Sequence, residues 1–521
     1  MNDKKTEKGI INGALSLTVS AIIVKFLGLI YKIPLSYILS DEGMGYFNTA
    51  YTVFGFFYII CTAGIPKAIS ILVSEAEGDG NRELIDRIYT TAFRMFIVLG
   101  LFVSVLLFIL SAPISKLIGN SKAYYSMLLI SPAILFVCAT GVIRGYFNGR
   151  LNFVPIAISE LISGASKVVL GLALAYLAHT LGYGFEIISA FTIFGTTLGS
   201  FFGFVYLYFN KCEFSKVKTG QKLGFSPALA KKIFKIAIPL TITSAIGSVS
   251  NIIDLTIIMR RLQAAGNTAL QAAILYGNYT TLAIPMLNLV ATLVAPLSAV
   301  LLPIISKEKN NTKSTIIEER ISASLKILLF ITIPISILFL FKSGEILSLL
   351  FEDSSAVMAA PLLSLIAPGV IFMSLLTVTN SALEGMGDTK TPMISLLLAS
   401  LVKLIVSYVL IGNTNFGLFG ASIGTTLSYF IGMCVSVFAL NLKHKIRLHV
   451  IKSFFLFIVC GIISLGISNI FSVLINISTP LTIVVELLIF SLFYLLALLA
   501  VGFFKLNNLN SMSNIYKKTI K

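Results

Sequence analysis

Long apolar segments alternate with short polar loops along nearly the whole chain. Runs of roughly 20 apolar residues, long enough for a helix to cross a bilayer, recur about fourteen times. They centre near residues 23, 60, 100, 133, 166, 197, 245, 285, 331, 371, 402, 429, 461 and 491. Backbone polar groups in lipid must be satisfied within their own segment, and continuous runs exclude the alternation of a transmembrane barrel. The pattern predicts an all-α polytopic membrane protein with about 14 transmembrane helices.

Composition agrees with this prediction. Of the 521 residues, 57% are hydrophobic and only 12% are charged, and the mean hydropathy is +0.95. A soluble core could not bury so much apolar surface. The five cysteines and three histidines show no ligand spacing, so neither a metal, a redox site nor a cofactor is expected. The first apolar run lacks a small-residue cleavage site and is not read as a signal peptide.

Basic residues are concentrated at both termini and in the loops that follow even-numbered spans. The net charge of +17 would suit nucleic acid, but no soluble basic domain carries it, and the charges are typical of topology signals. By the positive-inside rule, both termini are predicted to be cytoplasmic in a multi-pass protein of the cell membrane. These residues are Lys4, Lys5, Lys8, Lys211, Lys216, Lys218, Lys222, Lys231, Lys232, Lys235, Lys307, Lys309, Lys313, Lys443, Lys445, Arg447, Lys452, Lys517, Lys518 and Lys521.

The two halves of the chain resemble each other. Pro132 and Pro368 are 236 positions apart, as are Lys167 and Lys403, and the tetrapeptide GTTL occurs at 195–198 and 424–427. Matching spans lie six spans apart and share an orientation, which predicts a parallel repeat of two six-helix lobes, a transporter architecture. The predicted parts are an N-lobe (1–210), a basic cytoplasmic linker (211–235), a C-lobe (236–442), and two further helices with a cytoplasmic tail (443–521).

Charged residues inside the apolar runs are the first candidates for function. An ionised side chain at the bilayer centre costs roughly 2.5–3.5 kcal/mol on insertion scales, so each one needs a reason. Lys25 and Lys32 are seven residues apart in the first span and share a helix face. Snorkelling to the interface would explain Lys32 alone, but not both. We predict that both line a cavity that binds an anion.

Further basic residues occur near the fourth, fifth and eleventh spans. Arg144, at the cytoplasmic end of the fourth span, is a cavity candidate, whereas Arg150 in the following loop is as well explained as an interfacial anchor. Lys167 and Lys403 lie mid-span at repeat-equivalent positions. Glu160, two turns before Lys167, could neutralise it. For these two lysines, structural and substrate-binding roles both remain open.

The seventh span carries a polar stripe, which must face protein or water and not lipid. Arg260 and Arg261 lie at its outer end, where the positive-inside rule disfavours arginine, and at least one of them is predicted to line the cavity. Asp254 would orient an arginine or bind a cation. The stripe comprises Ser244, Ser248, Asn251, Asp254 and Arg261, and weaker candidates elsewhere are Lys67, Glu384 and Glu486.

Several longer segments carry a resemblance to a known family. KFLGLIYKIPLSYILSDEGMGYFNTAY, TAGIPKAIS, RGYFNGRLNFVPIAISELI and EGMGDTKTP resemble the Gram-positive branch of the MurJ and SpoVB lipid flippases. This branch belongs to the multidrug/oligosaccharidyl-lipid/polysaccharide (MOP) exporter superfamily. The resemblance implies two lobes around a cationic cavity and transfer of lipid II, a peptidoglycan precursor linked to undecaprenyl pyrophosphate, from the inner to the outer leaflet. It also implies that the last two spans form a groove for the lipid tail.

The resemblance further maps the family's basic residues onto Lys25 and Lys32, Arg144, and Arg260 with Arg261. The sequence contains no GxxxxGK[ST] motif, so an ion gradient or the membrane potential is the expected driving force. A flippase for another lipid-linked glycan would have nearly the same cavity. A multidrug cation exporter would need an acidic cavity, and a membrane enzyme would need clustered carboxylates or histidines. The sequence therefore favours a lipid II flippase, vegetative or sporulation-specific, that is not an enzyme and whose partners are an anionic lipid-linked glycan, membrane lipids and no nucleic acid.

Overall fold

The computed structural model describes residues 2–214, 225–308, 314–351, 353–388, 390–413, 415–475 and 480–500. Within these ranges the chain is almost entirely helical and contains no strand. The predicted all-α polytopic class is confirmed. The chain divides into two compact units, Met1–Gly277 and Asn278–Lys521, called unit 1 and unit 2 below.

Unit 1 contains nine α-helices in its described part. Helices α8 and α9 belong to it, although the predicted C-lobe begins at residue 236. A buried cluster joins α2, α3, α5 and α8, with Phe96, Tyr146 and Phe147 among its largest members. The helices are α1 (Asn2–Thr62), α2 (Gly64–Gly78), α3 (Arg82–Ile118), α4 (Tyr124–Ile130), α5 (Ala133–Gly149), α6 (Val154–Thr180), α7 (Phe185–Phe214), α8 (Pro227–Ala264) and α9 (Ala269–Asn278).

The predicted first and second spans form one long helix that is broken internally. Ser40 has a φ of 53° inside α1, a left-handed conformation that a non-glycine residue adopts only under constraint from its surroundings. The polar residues Asp41 and Glu42, which lie between the first and second predicted spans, directly follow this kink within the helix. A kink therefore replaces the expected loop.

Unit 2 begins at a five-residue π-helical segment, Tyr279–Ala283. The Tyr279 hydroxyl lies 2.8 Å from Thr425 Oγ1, so this segment is held against a later helix of the same unit. The remaining helices are α10 (Ile284–Glu308), α11 (Ser314–Phe341), α12 (Ser343–Ser348), α13 (Asp353–Gly385), α14 (Lys390–Ile411), α15 (Phe419–Leu442), α16 (Ile451–Ile475) and α17 (Pro480–Ala500).

All fourteen predicted span centres fall inside helices. By length and apolarity alone, ten helical segments in the described ranges can cross a membrane, or eleven if the pair Ser121–Ile130 and Ala133–Gly149, bent by 41°, counts as one span. Phe26–Gly78 counts as one of the ten, although it contains the Ser40 kink. Helices α8 and α10 are not among them. The positions of the helices are thus confirmed, while fourteen crossings stays a prediction.

Both units contain the same hydrogen bond at repeat-equivalent positions. Thr197 Oγ1 donates to the carbonyl oxygen of Leu129 over 2.7 Å, and Thr426 Oγ1 donates to the carbonyl oxygen of Leu365 over 2.7 Å. Both threonines are the third residue of GTTL, and the two acceptors are 236 positions apart. The repeat seen in the sequence therefore corresponds to a repeated tertiary contact.

The glycine of each GTTL segment also sets the position of the mid-span lysine in the same unit. A Cβ atom on Gly195 would lie 3.1 Å from the Lys167 carbonyl oxygen, and one on Gly424 would lie 3.2 Å from that of Lys403. Missing side chains let two helices approach closely in a membrane. Each lysine is thereby fixed on a helix that packs tightly against the next.

Candidate functional site

Two lysines from different helices meet inside unit 1. Lys32 on α1 and Lys167 on α6 are both half-buried, and their ammonium groups interact electrostatically. Lys167 Nζ donates to Tyr51 Oη over 3.1 Å and lies 4.4 Å from the Tyr51 ring centroid and 5.8 Å from that of Tyr31. We call Lys32, Lys167, Tyr31 and Tyr51 the Lys32–Lys167 cluster. The partners of Lys167 in the described part of the chain are tyrosines. A ring face attracts a cation, so these tyrosines stabilise the ammonium group.

The two tyrosines are positioned by neighbouring rings and by a glycine. Phe47 lies between them, with ring centroids 6.4 Å from Tyr31 and 5.8 Å from Tyr51. Tyr31 is only 2% exposed, and a Cβ atom on Gly171 would come within 2.6 Å of its hydroxyl. That hydroxyl has no hydrogen-bond partner among the residues the structure describes. The cluster is therefore built on a kinked α1 and a glycine-lined face of α6.

The side chain of Lys25 lies outside the described residues, although its backbone belongs to α1. The seven-residue spacing predicts that Lys25 and Lys32 share one face of that helix. The role predicted for Lys25 stays a prediction.

Arg144 forms an ion pair with Glu160. Arg144 Nη1 lies 3.2 Å from Glu160 Oε1, and the two side chains are 19% and 26% exposed. The carboxylate expected to neutralise Lys167 pairs with Arg144 instead, because α5 and α6 bring them together. Arg144 Nε is buried and has no hydrogen-bond partner in the described part of the chain. The repeat counterpart, Asn380, accepts a hydrogen bond from Ser436 over 2.7 Å.

Arg150 joins the end of α5 to α2. Its Nε lies 2.9 Å from Glu77 Oε2, and its Nη1 donates to Tyr146 Oη over 2.9 Å. The Lys211 ammonium is stacked nearby, 3.8 Å from the Tyr89 ring centroid. These contacts fit the interpretation of Arg150 as an anchor.

The Arg260 side chain binds backbone carbonyl groups at the C-terminal end of α3. The side chain is exposed, its Nε donates to the carbonyl oxygen of Leu117 over 2.8 Å, and its Nη2 donates to that of Lys116 over 2.6 Å. Arg261 is half-buried and Asp254 is 6% exposed on the same helix, α8. The described contacts of Arg260 thus fit a helix cap.

The weaker candidates are dispersed. Lys67 is exposed on α2 of unit 1, and in unit 2 Glu384 is exposed on α13 while Lys403 is half-buried on α14. Glu486 on α17 pairs with Lys342 over 2.9 Å, which gives that carboxylate a structural partner between helices.

Two features were missed by sequence reasoning. Cys61 of α1 and Cys138 of α5 form a disulfide, with Cα atoms 5.0 Å apart, and their separation of 77 positions gives no recognisable motif. The lack of ligand spacing predicts no redox site, and it does not reveal this pairing.

The second feature that sequence reasoning missed is Asp388, in the loop after α13. It accepts hydrogen bonds from Lys443 (2.6 Å) and the Thr391 hydroxyl (2.7 Å), and His444 Nε2 lies 3.3 Å away. Burial opposes its ionisation, but these hydrogen bonds outweigh burial and hold the pKa of Asp388 well below its usual range.

Comparison with known proteins agrees with this fold. Residues 10–309 match the family model described as "Polysaccharide biosynthesis protein", and residues 239–409 match the MatE model. The chain is 24% identical over 469 residues to stage V sporulation protein B of Bacillus subtilis (strain 168), covering 88% of this chain and 89% of that protein. It is 24% identical over 441 residues to the lipid II flippase MurJ of the same organism, covering 81% and 80%.

Among solved structures, a lipid II flippase MurJ in an inward closed conformation matches with a TM-score of 0.75 at 19% identity, covering 94% of this chain and 99% of that one. This likeness shows the fold. The family match extends over more than half of the chain and begins within α1, the helix that carries Lys32. The chain belongs to the polysaccharide biosynthesis protein family, within the MOP exporter superfamily.

Proposed function

We propose that this protein is a flippase that moves lipid II, undecaprenyl-pyrophosphate-linked peptidoglycan precursor, from the inner to the outer leaflet by alternating access. The observation that carries the proposal is the Lys32–Lys167 cluster, two half-buried cations on helices that cross the membrane. Two relatives that span most of the chain support it, one of them named as a lipid II flippase.

The physical argument starts from the cost of the two charges. Each ammonium group is expensive in a low-dielectric interior, and two of the same sign repel each other. The described partners of Lys167 are a hydroxyl and two rings, which stabilise a cation less than a carboxylate does. An anion bound between Lys32 and Lys167 would offset this cost. A diphosphate suits such a site, whereas a cationic drug would be repelled.

Arg144 and Lys25 extend this proposal. The buried Nε of Arg144 keeps a donor that the Glu160 pair does not use, and the sequence spacing of Lys25 and Lys32 predicts a shared helix face. We propose the N-lobe as the main anion-binding half, with both termini in the cytoplasm. An ion gradient or the membrane potential would drive transport.

Reconstitution tests the proposal directly. Purified protein in liposomes is given a fluorescent lipid II, and quenching by a membrane-impermeant reductant reports the fraction on the outer leaflet. We expect wild type to move the lipid and Lys32→Ala to lose most of the rate, while Lys326→Ala, a half-buried lysine of α11, behaves as wild type. Retention of the full rate by Lys32→Ala would refute the site.

A flippase for another lipid-linked glycan is the second candidate, because the matching family is described by polysaccharide biosynthesis. Complementation separates the two. Rescue of a strain depleted of its lipid II flippase, together with exposure of the precursor on the outer leaflet, supports lipid II. Failure to rescue by a protein that is expressed and flips a lipid-linked polysaccharide precursor in liposomes supports the second candidate.

A further inference from the structure

The ends of α3 and α8 are joined by side-chain donors on one helix and backbone acceptors on the other. Arg260 donates to the carbonyl oxygens of Lys116 and Leu117, and Gln263 Nε2 donates to that of Gly119 over 2.6 Å. Arg260 and Gln263 are three positions apart and therefore lie on one face of α8. Three hydrogen bonds thus bind this face to the C-terminus of α3.

The chemistry of a helix end makes this junction specific. The last carbonyl groups of a helix lack internal partners and carry partial negative charge, which favours a cation. The arginine fork reaches two adjacent carbonyls, which a lysine ammonium does not reproduce. Gly119, with a φ of 88°, ends α3, and a Cβ atom there would come within 2.7 Å of Gln263 Nε2.

The same end of α3 is also tied to α1. Asn120 Nδ2 donates to Thr49 Oγ1 over 2.9 Å in a buried position. Beyond α8, the chain returns to α1 as well, since Tyr276 Oη lies 3.1 Å from Thr52 Oγ1. These contacts gather α1, α3, α8 and α9 at the end of unit 1 that contains the C-terminus of α8.

We infer that Arg260 is a positioning residue and that Arg260 and Gln263 form a clasp that closes this end of unit 1 and must open during transport. The inference rests on the proposed alternating access, which requires both sides of the membrane to be reached in turn. The clasp suits a reversible closure because Arg260 is exposed, so water can replace the carbonyl oxygens when α8 moves away. Arg260 therefore acts on the equilibrium between states and does not contact the lipid.

Four variants in liposomes test the clasp. Arg260→Ala removes two of its bonds, Gln263→Ala removes the third, and Arg260→Lys keeps the charge without the fork. Lys116→Ala is the matched control, because it deletes a nearby exposed charge and leaves the backbone acceptors intact. All four are compared with wild type by hydrogen–deuterium exchange and by flipping of an NBD-labelled polyprenyl-diphosphate disaccharide at several lipid concentrations.

The exchange measurement reports the end of α3 directly. The amides of Gly119 and Asn120 bond to the carbonyl oxygens of Lys116 and Ser115. We expect these amides to exchange about threefold to tenfold faster in Arg260→Ala, since local opening sets their protection, and less so in Arg260→Lys. Unchanged exchange in Arg260→Ala would overturn the clasp.

The flipping measurement separates the clasp from lipid contact. A clasp that opens too readily depopulates the state that loads lipid, so KM rises by about threefold to tenfold while kcat stays within about twofold. Neutral Gln263→Ala should raise KM as well, because it loosens the same junction, and Lys116→Ala should not. A raised KM in Arg260→Ala alone, with Gln263→Ala at the wild-type value, would show that Arg260 contacts the lipid and would overturn the inference. Failure of wild type to move lipid would count instead against the proposed function.

Discussion

Removing one partner of the Arg144–Glu160 pair should destabilise unit 1, and removing both should restore part of the loss. The charged atoms are 3.2 Å apart, and the two side chains are only 19% and 26% exposed. At an effective dielectric constant of about 20, their attraction is about 5 kcal/mol. Desolvation of both groups offsets much of this, so we expect a coupling free energy of about 2 kcal/mol.

A double-mutant cycle measures that coupling. The chain contains no tryptophan, so thermal unfolding in detergent is followed by circular dichroism for Arg144→Ala, Glu160→Ala and the double variant. Each single change leaves an unpaired charge and should cost about 3 kcal/mol, and the double variant should lose about 2 kcal/mol less than the sum. The exposed pair Arg87–Glu83, at 2.8 Å with side chains 51% and 49% exposed, is the control, with an expected coupling of about 0.5 kcal/mol.

The same variants decide what Arg144 does. If Arg144 also contacts the anion, the double variant regains stability without regaining lipid flipping. Recovery of both stability and flipping would show that the pair is purely structural. A coupling no larger than that of the exposed Arg87–Glu83 control would refute the physical argument, because the partial burial of the Arg144–Glu160 pair would then confer nothing.

Three further outcomes are expected. Lys167→Ala should lower the flipping rate at least tenfold, which is about 1.4 kcal/mol or more, while Lys167→Arg keeps a substantial rate because it retains the charge. Equal flipping rates of Lys167→Ala and Lys167→Arg in the liposome assay would contradict this. Gly195→Val should yield little folded protein by size-exclusion chromatography, since its Cβ would lie 2.5 Å from Gly171 Cα, whereas Gly55→Ala, with nothing within 4 Å, should fold normally. Asp388→Asn should lower the unfolding temperature most at pH 7 and clearly less near pH 2. The depressed pKa of Asp388 means that its contribution is fully present above the ordinary aspartate pKa of about 3.9 and shrinks as pH falls from there towards the folded-state pKa; a deficit that is the same at both pH values would contradict the pKa argument.

The positions of the apolar runs were enough to place the helices, because residues in the bilayer core are apolar and charged residues concentrate in the loops. It did not reveal how helices end or bend. The Ser40 kink has no proline or glycine at the break, and its conformation is imposed by packing. Asp41 and Glu42 are polar residues between two apolar runs, and a kinked helix accommodates such residues as well as a loop does.

The candidate site was predictable only as far as its cations. Lys32 and Lys167 are conspicuous in apolar runs, and the structure brings them together. Partners were harder to assign, because side chains on different helices meet through lateral packing, which leaves no pattern in one sequence. For example, Glu160 forms its ion pair with Arg144, whereas the sequence had suggested Lys167. Arg260 binds backbone carbonyl oxygens, acceptors that every residue carries and that no motif can reveal.

The repeat separates what the fold requires from what function requires. Ser104 Oγ donates to the carbonyl oxygen of Ser131 over 2.8 Å, and Ser336 Oγ donates to that of Ala367 over 2.7 Å, so this contact is kept in both units. The charge of Arg144 is not kept, since its counterpart Asn380 is neutral. Because the same helical arrangement forms around an amide in unit 2, the architecture does not demand a cation at this place. A partly buried charge that the fold of unit 2 does without supports the proposal that Arg144 binds an anion.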